Sequence, residues 1–195
     1  MAVLDTGISV ADAGETWLAR VWAEFSENLI AVIALGVVIL LVVLALVAPW
    51  ITPQNPYDLT QLSIMDNMLP PGERSMDGRR YLLGTDEQGR DMLSAIFYGL
   101  RLSLFVGITA TVIALGVGTT VGIVAAYFGG RVDTTLMRLV DIQLSFPAIL
   151  IALILLAILG KGVDKVIIAL VSVQWAYYAR TIRGSALAER RMVRA

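Results

Sequence analysis

Gln143, Ser145, Phe146 and Pro147 stand together inside an apolar run, and their types set the chemistry this chain can offer. Proline cannot donate to the carbonyl four residues before it, here that of Gln143, so a polar group is released beside an amide and a hydroxyl. A solvated passage would satisfy that group, and so would packing at a simple kink; both readings stay open. Gln174, midway along a later apolar run, is a further amide of the kind that lines passages or bundle interiors. These groups can hydrogen-bond a solute, but they do not suggest bond-breaking. The chain has no cysteine and no histidine, which removes thiolate nucleophiles, thiolate and imidazole metal ligands and the commonest neutral-pH proton carrier. No phosphate loop is present, since Gly160-Lys161-Gly162 lacks the hydroxyl residue and the preceding glycine spacing. No catalytic residue and no metal are expected. A net charge of -1 and a pI near 5.4 give no reason to expect nucleic acid, whose sites need a basic patch to neutralise phosphates.

The remaining polar clusters read as structural. Arg138 and Asp141 lie three apart, as an ion pair on one helical face would, and Asp133 precedes Thr134 where it could cap the same helix. The stretch Gly84-Thr85-Asp86-Glu87-Gln88-Gly89-Arg90-Asp91 holds three carboxylates without the spacing of a calcium loop. Thr85 and Gln88 have capping-box spacing, so a shaped turn leading into a helix is expected. Met92, Leu93, Ile96, Phe97 and Leu100 continue it as an apolar face. Ala110, Ala114, Gly118, Gly122 and Ala126 recur every fourth residue, a small-residue stripe that lets another helix approach closely.

The elements that must position these residues are membrane helices. Hydrophobic residues make up 57% of the chain, and mean hydropathy is +0.77. Uncharged runs cover Leu29–Ile51, Leu102–Phe128 and Ile142–Gly160, with a shorter one of 14 residues over Val166–Ala179. The first, at 1.5 Å per residue, makes about 34 Å of helix, enough for a hydrocarbon core of roughly 30 Å. It is too long for a signal peptide and follows an acidic segment, so an uncleaved anchor is expected. Trp17, Leu18, Val21, Trp22 and Phe25, complemented by Glu15, Glu24 and Glu27, form an amphipathic helix before it, suited to the membrane interface or to packing on another subunit. Pro49, Pro53 and Pro56 close the first span and open a long polar segment. With the N-terminus inside, Arg20, Arg131, Arg138, Arg180, Arg183, Arg190, Arg191 and Arg194 flank the spans internally, eight against the four of Arg90, Arg101, Lys161 and Lys165. The positive-inside rule therefore places both ends in the cytoplasm. The expected parts are 1–28, a cytoplasmic tail with the amphipathic helix; 29–51, the first span; 52–101, an extracytoplasmic segment; and 102–195, three further spans.

On these motifs the chain resembles a known family. Leu83-Gly84-Thr85-Asp86, Gly89-Arg90-Asp91, Ser94 and Tyr98-Gly99-Leu100-Arg101-Leu102-Ser103-Leu104 are similar to the hallmark segment of peptide/nickel-type ABC importer permeases, of the second permease subunit type. Tyr127-Phe128-Gly129-Gly130, Asp133, Met137-Arg138, Val140-Asp141, Phe146-Pro147, Tyr178, Arg180 and Arg183-Gly184 follow in the same order. Ala95 and Tyr81 depart from the family's usual arginine and histidine. The resemblance implies an all-α, polytopic transmembrane helical bundle of the type I importer permease kind, four spans of an expected six. It implies a multi-pass protein of the bacterial inner membrane, in contact with lipid. It implies partners: a homologous second permease, two cytoplasmic ATPases holding ATP and magnesium, and an extracytoplasmic solute-binding protein. The chain itself would bind no cofactor and would not be an enzyme. The solute would be a peptide, or a nickel chelate or glutathione, moved by alternating access. By the family's pattern the amphipathic helix looks like a cytoplasmic elbow helix. Family members continue beyond the Arg180–Arg194 region into an ATPase-docking loop and two more spans, so a fragment or truncated product lacking that loop is expected. Rival readings are an ion-coupled transporter or channel using Asp141 with Arg138, and a non-transporting scaffold.

Overall fold

The structure, a computed structural model, describes residues 17–75 and 78–192. Glu15 and Arg194 lie outside the described residues, as does the tail before Trp17. Six α-helices account for most of the rest: α1 (Trp17–Glu27), α2 (Leu29–Ile51), α3 (Met92–Phe128), α4 (Gly130–Ser145), α5 (Ala148–Leu159) and α6 (Val163–Met192). Among the described residues there is no β-strand, only isolated bridges joining Arg74 to Arg80 and Thr85 to Asp91. The chain divides within α3, after Tyr98, into two compact units.

In the first unit Asn28 separates α1 from α2 and caps α2, its side-chain oxygen accepting from the amides of Ile30 (3.0 Å) and Ala31 (3.3 Å). The Trp22 and Phe25 rings stack on α1 with centroids 5.9 Å apart. α2 buries only Ala45 and Ala48, while Ile33, Val37, Val38, Leu40 and Leu46 stay open. A helix apolar on every side and uncovered by its own chain belongs in lipid. Pro49 does not end it. The helix runs two residues further, to Ile51, and Thr52 closes it through its amide and hydroxyl on the Ala48 carbonyl.

Residues 52–91 fold around 3-10 turns at Leu59–Gln61 and Ile64–Asp66. Met92–Arg101, the last part of the expected extracytoplasmic segment, form the first turns of α3. The apolar face already seen at Met92, Leu93, Ile96, Phe97 and Leu100 simply joins the membrane run, giving one helix of 37 residues.

In the second unit α6 is the common partner. Val140 of α4 and Ala176 and Ala179 of α6 are buried together, flanked by Val121, Met137, Leu144 and Trp175. α5 also packs along α6. All five residues of the small-residue stripe are buried. A side chain begun at Gly118 would lie 2.6 Å from the Trp175 carbonyl oxygen, and one begun at Gly122 would lie 2.7 Å from that of Ala179. Here the missing Cβ is what lets α3 and α6 touch backbone to backbone.

The third apolar run departs from expectation. Ile142–Gly160 is not one rod: α4 ends at Ser145, α5 begins at Ala148, and the two helices bend by 87°. α5, with 12 residues, is about 18 Å long and cannot cross roughly 30 Å of hydrocarbon alone. Among the described residues α2 and α3 are long and apolar enough to cross a membrane, and the bent α4–α5 pair makes a third crossing if counted as one span. The fourth apolar run, Val166–Ala179, lies inside the 30-residue α6, whose later turns carry Arg180, Arg183 and Arg190.

Candidate functional site

The break between α4 and α5 gathers four of the five polar-site residues. Phe146 and Pro147 both have extended backbones, with ψ of 144° and 122°, so the residue before the proline leaves the helix as proline sterics require. Pro147 then starts α5, its carbonyl accepting from the amides of Leu150 (3.0 Å) and Ile151 (3.3 Å). Ser145 turns its hydroxyl back onto the Asp141 carbonyl at 2.7 Å, and the Phe146 ring is exposed. Gln143 donates its side-chain amide to the Ser172 carbonyl of α6 at 3.0 Å. Gln174 is on the same stretch of α6, half-buried, with no side-chain hydrogen bond among the described residues. The break thus combines one tethered amide with one hydroxyl and an exposed ring, and its amide and hydroxyl are groups that can hydrogen-bond a solute. A cleft of about 590 Å³ between Leu102, Val106, Val166 and Leu170 is apolar and is lined by none of these residues.

Charges near the break pair differently from the sequence expectation. Asp141 is bonded by Arg180 of α6, not by its helical neighbour Arg138. Asp133 does not cap α4. That helix begins three residues earlier behind Gly129, and the Asp133 carboxylate takes two parallel bonds from Arg183, one to Nε and one to Nη2. Both partnerships are 39 residues or more distant in sequence, so local spacing could not disclose them. Helical periodicity offers the residue three positions away first; tertiary packing on α6 supplied a better partner.

The motif at 84–91 lies in the first unit, where it forms the tight turn that leads into α3. Gly84 and Gly89 have φ of 76° and 72°, and a Cβ at either would collide with backbone, at Leu69 and Ser63 respectively. Thr85 accepts from the Leu69 amide at 2.8 Å and donates to the Asp66 carbonyl at 2.5 Å. Asp86 closes the turn by accepting from the amides of Gln88 (2.8 Å) and Arg90 (2.9 Å). The capping-box expectation for Thr85 and Gln88 therefore fails by six residues. Asp91 is the cap of α3, its Oδ2 taking the Ser94 amide (2.8 Å) and hydroxyl (2.5 Å).

Gln54, just past α2, completes this clasp. Its side-chain oxygen accepts from the Asp91 amide at 2.7 Å, and its nitrogen donates to the carbonyls of Gln61 (2.8 Å) and Gly89 (3.4 Å). Ser75 and Tyr81 donate to Asp66 Oδ2 at 2.5 and 3.3 Å. Burial, with the Asp66 carboxylate second, holds the Tyr81 phenol above its ordinary pKa. On the surface, the hydroxyl and amide of Thr60 hold the Asp58 carboxyl below its usual value. Asp91 is fully buried, and its Oδ1, like Arg90 Nε, has no hydrogen-bond partner among the described residues. Gln54 and Asp66 escaped sequence reasoning, although a glutamine between Pro53 and Pro56 is a signal of a kind, being a long polar side chain on a backbone already stiffened. Among the described residues no three His, Cys, Asp or Glu are grouped to hold a metal ion.

Comparison with known proteins matches residues 16–71 to the N-terminal transmembrane domain of oligopeptide transport permease C. Residues 118–192 match the binding-protein-dependent transport system inner membrane component. A dipeptide transport system permease protein of Haemophilus influenzae is 33% identical over 91% of this chain and 59% of its own length. A di/tripeptide transport system permease protein of Pseudomonas aeruginosa is 38% identical over 88% of this chain and 56% of its own. A dipeptide transport system permease protein of Escherichia coli is 38% identical over 96% of this chain and 61% of its own. The chain thus spans less than two thirds of the length of these relatives.

Proposed function

The chain belongs to the permeases of peptide-type ABC importers, and from that membership we propose that it forms part of a channel that carries peptides inward across the bacterial inner membrane. The observation that carries this reading is the presence, in order on one chain, of both family segments, the second enclosing the broken α4–α5 pair.

In this reading a homologous permease completes the channel, a solute-binding protein delivers the peptide from outside, and two cytoplasmic ATPases bind ATP with magnesium and supply the energy. The permease chain does no chemistry of its own. Access alternates between the two sides because two packings of the subunits differ in which side reaches one site, and nucleotide binds one packing better. Gln143, Ser145, Phe146, Pro147 and Gln174 line the route. The stripe from Ala110 to Ala126 keeps α3 against α6. The N-terminus is cytoplasmic, and residues 52–101 lie outside, the last ten of them as the first turns of α3. Nickel chelates and glutathione are further candidate solutes.

Uptake of a radiolabelled dipeptide tests the proposal in cells that depend on this system. Uptake is expected to vanish when a partner ATPase is deleted and when the ATPase carries an inactive nucleotide site. Uptake that persists without any ATPase, and follows an ion gradient, would overturn it in favour of a secondary transporter.

A further inference from the structure

Three side chains of α4 reach α6 in antiparallel order: Asp133 to Arg183, Asp141 to Arg180, and Gln143 to the Ser172 carbonyl. They are unequal. The Asp133–Arg183 pair is two-pronged, with side chains 18% and 31% exposed, whereas Asp141 and Arg180 share one bond at 63% and 53% exposure. A forked guanidinium–carboxylate contact fixes angle as well as distance, while a single exposed pair is worth about 0–1 kcal/mol. α4 is therefore held to α6 firmly in its first turn and again at Gln143, two residues before its end at Ser145.

Beyond the second tie the backbone turns 87° into α5. α6, by contrast, runs unbroken for 30 residues, and its far end also reaches α3, Arg190 donating to the Ala126 carbonyl at 3.2 Å. A continuous helix moves as a unit, because each turn is bonded to the next, whereas at the joint Pro147 has no N–H to donate back to α4 and its carbonyl bonds run only forward into α5, to Leu150 and Ile151. The geometry points to Asp133 and Arg183 as positioning residues that convey movement of α6 to the joint at Phe146–Pro147. This rests on the proposed transport function, for which the joint is the part of the route that must change shape.

The test uses the complete complex in proteoliposomes, measuring assembled complex, ATP hydrolysis and dipeptide uptake together. Asp133→Asn and Arg183→Lys, the second keeping charge but losing the fork, are each expected to assemble and hydrolyse ATP while uptake per ATP falls severalfold. The exchange Asp133→Arg with Arg183→Asp should recover the ratio, and Asp141→Asn should leave it unchanged. An unchanged ratio in Asp133→Asn overturns the inference. So does a loss of uptake and hydrolysis in step with assembled complex, which would mean a purely structural contact, and so does an exchange variant whose ratio stays low. A wild-type complex without ATP-driven uptake is a different failure: it removes the transport function itself, and this inference with it, before any variant is compared.

Discussion

Gly89 shows how little of a residue's significance its type alone conveys. The sequence suggests a turn there, and a turn is present, but the reason only glycine fits is the Ser63 backbone lying where a Cβ would go. Gly89→Ala is expected to disorganise residues 52–91, since the left-handed backbone alone costs about 1–2 kcal/mol before the collision is counted. Faster limited proteolysis of that segment, with the membrane helices intact by circular dichroism, is the measurement. Tyr81 gives the segment an alkaline limit. A phenol whose folded pKa is raised contributes stability that is fully present below the unfolded value of about 10 and is lost as pH rises through the folded value. Tyr81→Phe should remove that alkaline loss, read from unfolding midpoints across an alkaline pH series. The capping residue was misread by local pattern, because Thr85 and Gln88 satisfy the spacing rule while Asp91 holds the helix end. The rule identifies residues able to cap; the place where backbone donors fall free decides which one does.

At the scale of elements, apolar run length was legible and helix ends were not. α2 coincides with its uncharged run, with Asn28 capping its start and Thr52 closing its end. α3 exceeds its run by ten residues, since a helix, once started, continues as long as its polar turns tolerate it. The third run was legible as interrupted, from Pro147, but a proline predicts only lost bonds; the 87° turn needs α6 as a support. The stripe on α3 was fully legible because period four needs no tertiary information. Gly122→Leu should separate α3 from α6 and lower the unfolding midpoint in detergent, at a cost of about 1–3 kcal/mol for overpacking. Gly116→Leu, on the open side of the same helix, should leave it unchanged, because nothing lies within 4 Å of a Cβ there.

At the scale of the whole molecule, these 195 residues hold no cysteine, so a thiol introduced among them is the only one they contain. A cysteine at Ile64, an exposed position, should react with an impermeant maleimide in intact spheroplasts, and one at Ala188 only after permeabilisation. The reverse pattern would invert the proposed orientation. Class, membrane setting and family were legible because length, apolarity and ordered motifs are properties of the chain itself. The pairing of α4 with α6 was not, because it joins residues up to 50 apart.

The clasp around Gln54 has a consequence for how such a chain is made. Its bond to Asp91 joins positions 37 apart, one three residues after α2 and the other directly before α3. Both must be on the same side of the bilayer before the bond can form, and α3 must have begun, because Asp91 is its cap. The other bonds of the segment, from Ser75, Tyr81 and Thr85 to Asp66, lie wholly between the two helices, so the Gln54–Asp91 bond is the one that waits for α3. Once closed, it ties the end of α2 to the start of α3 through buried polar groups, so the two helices cannot be drawn apart without breaking that bond.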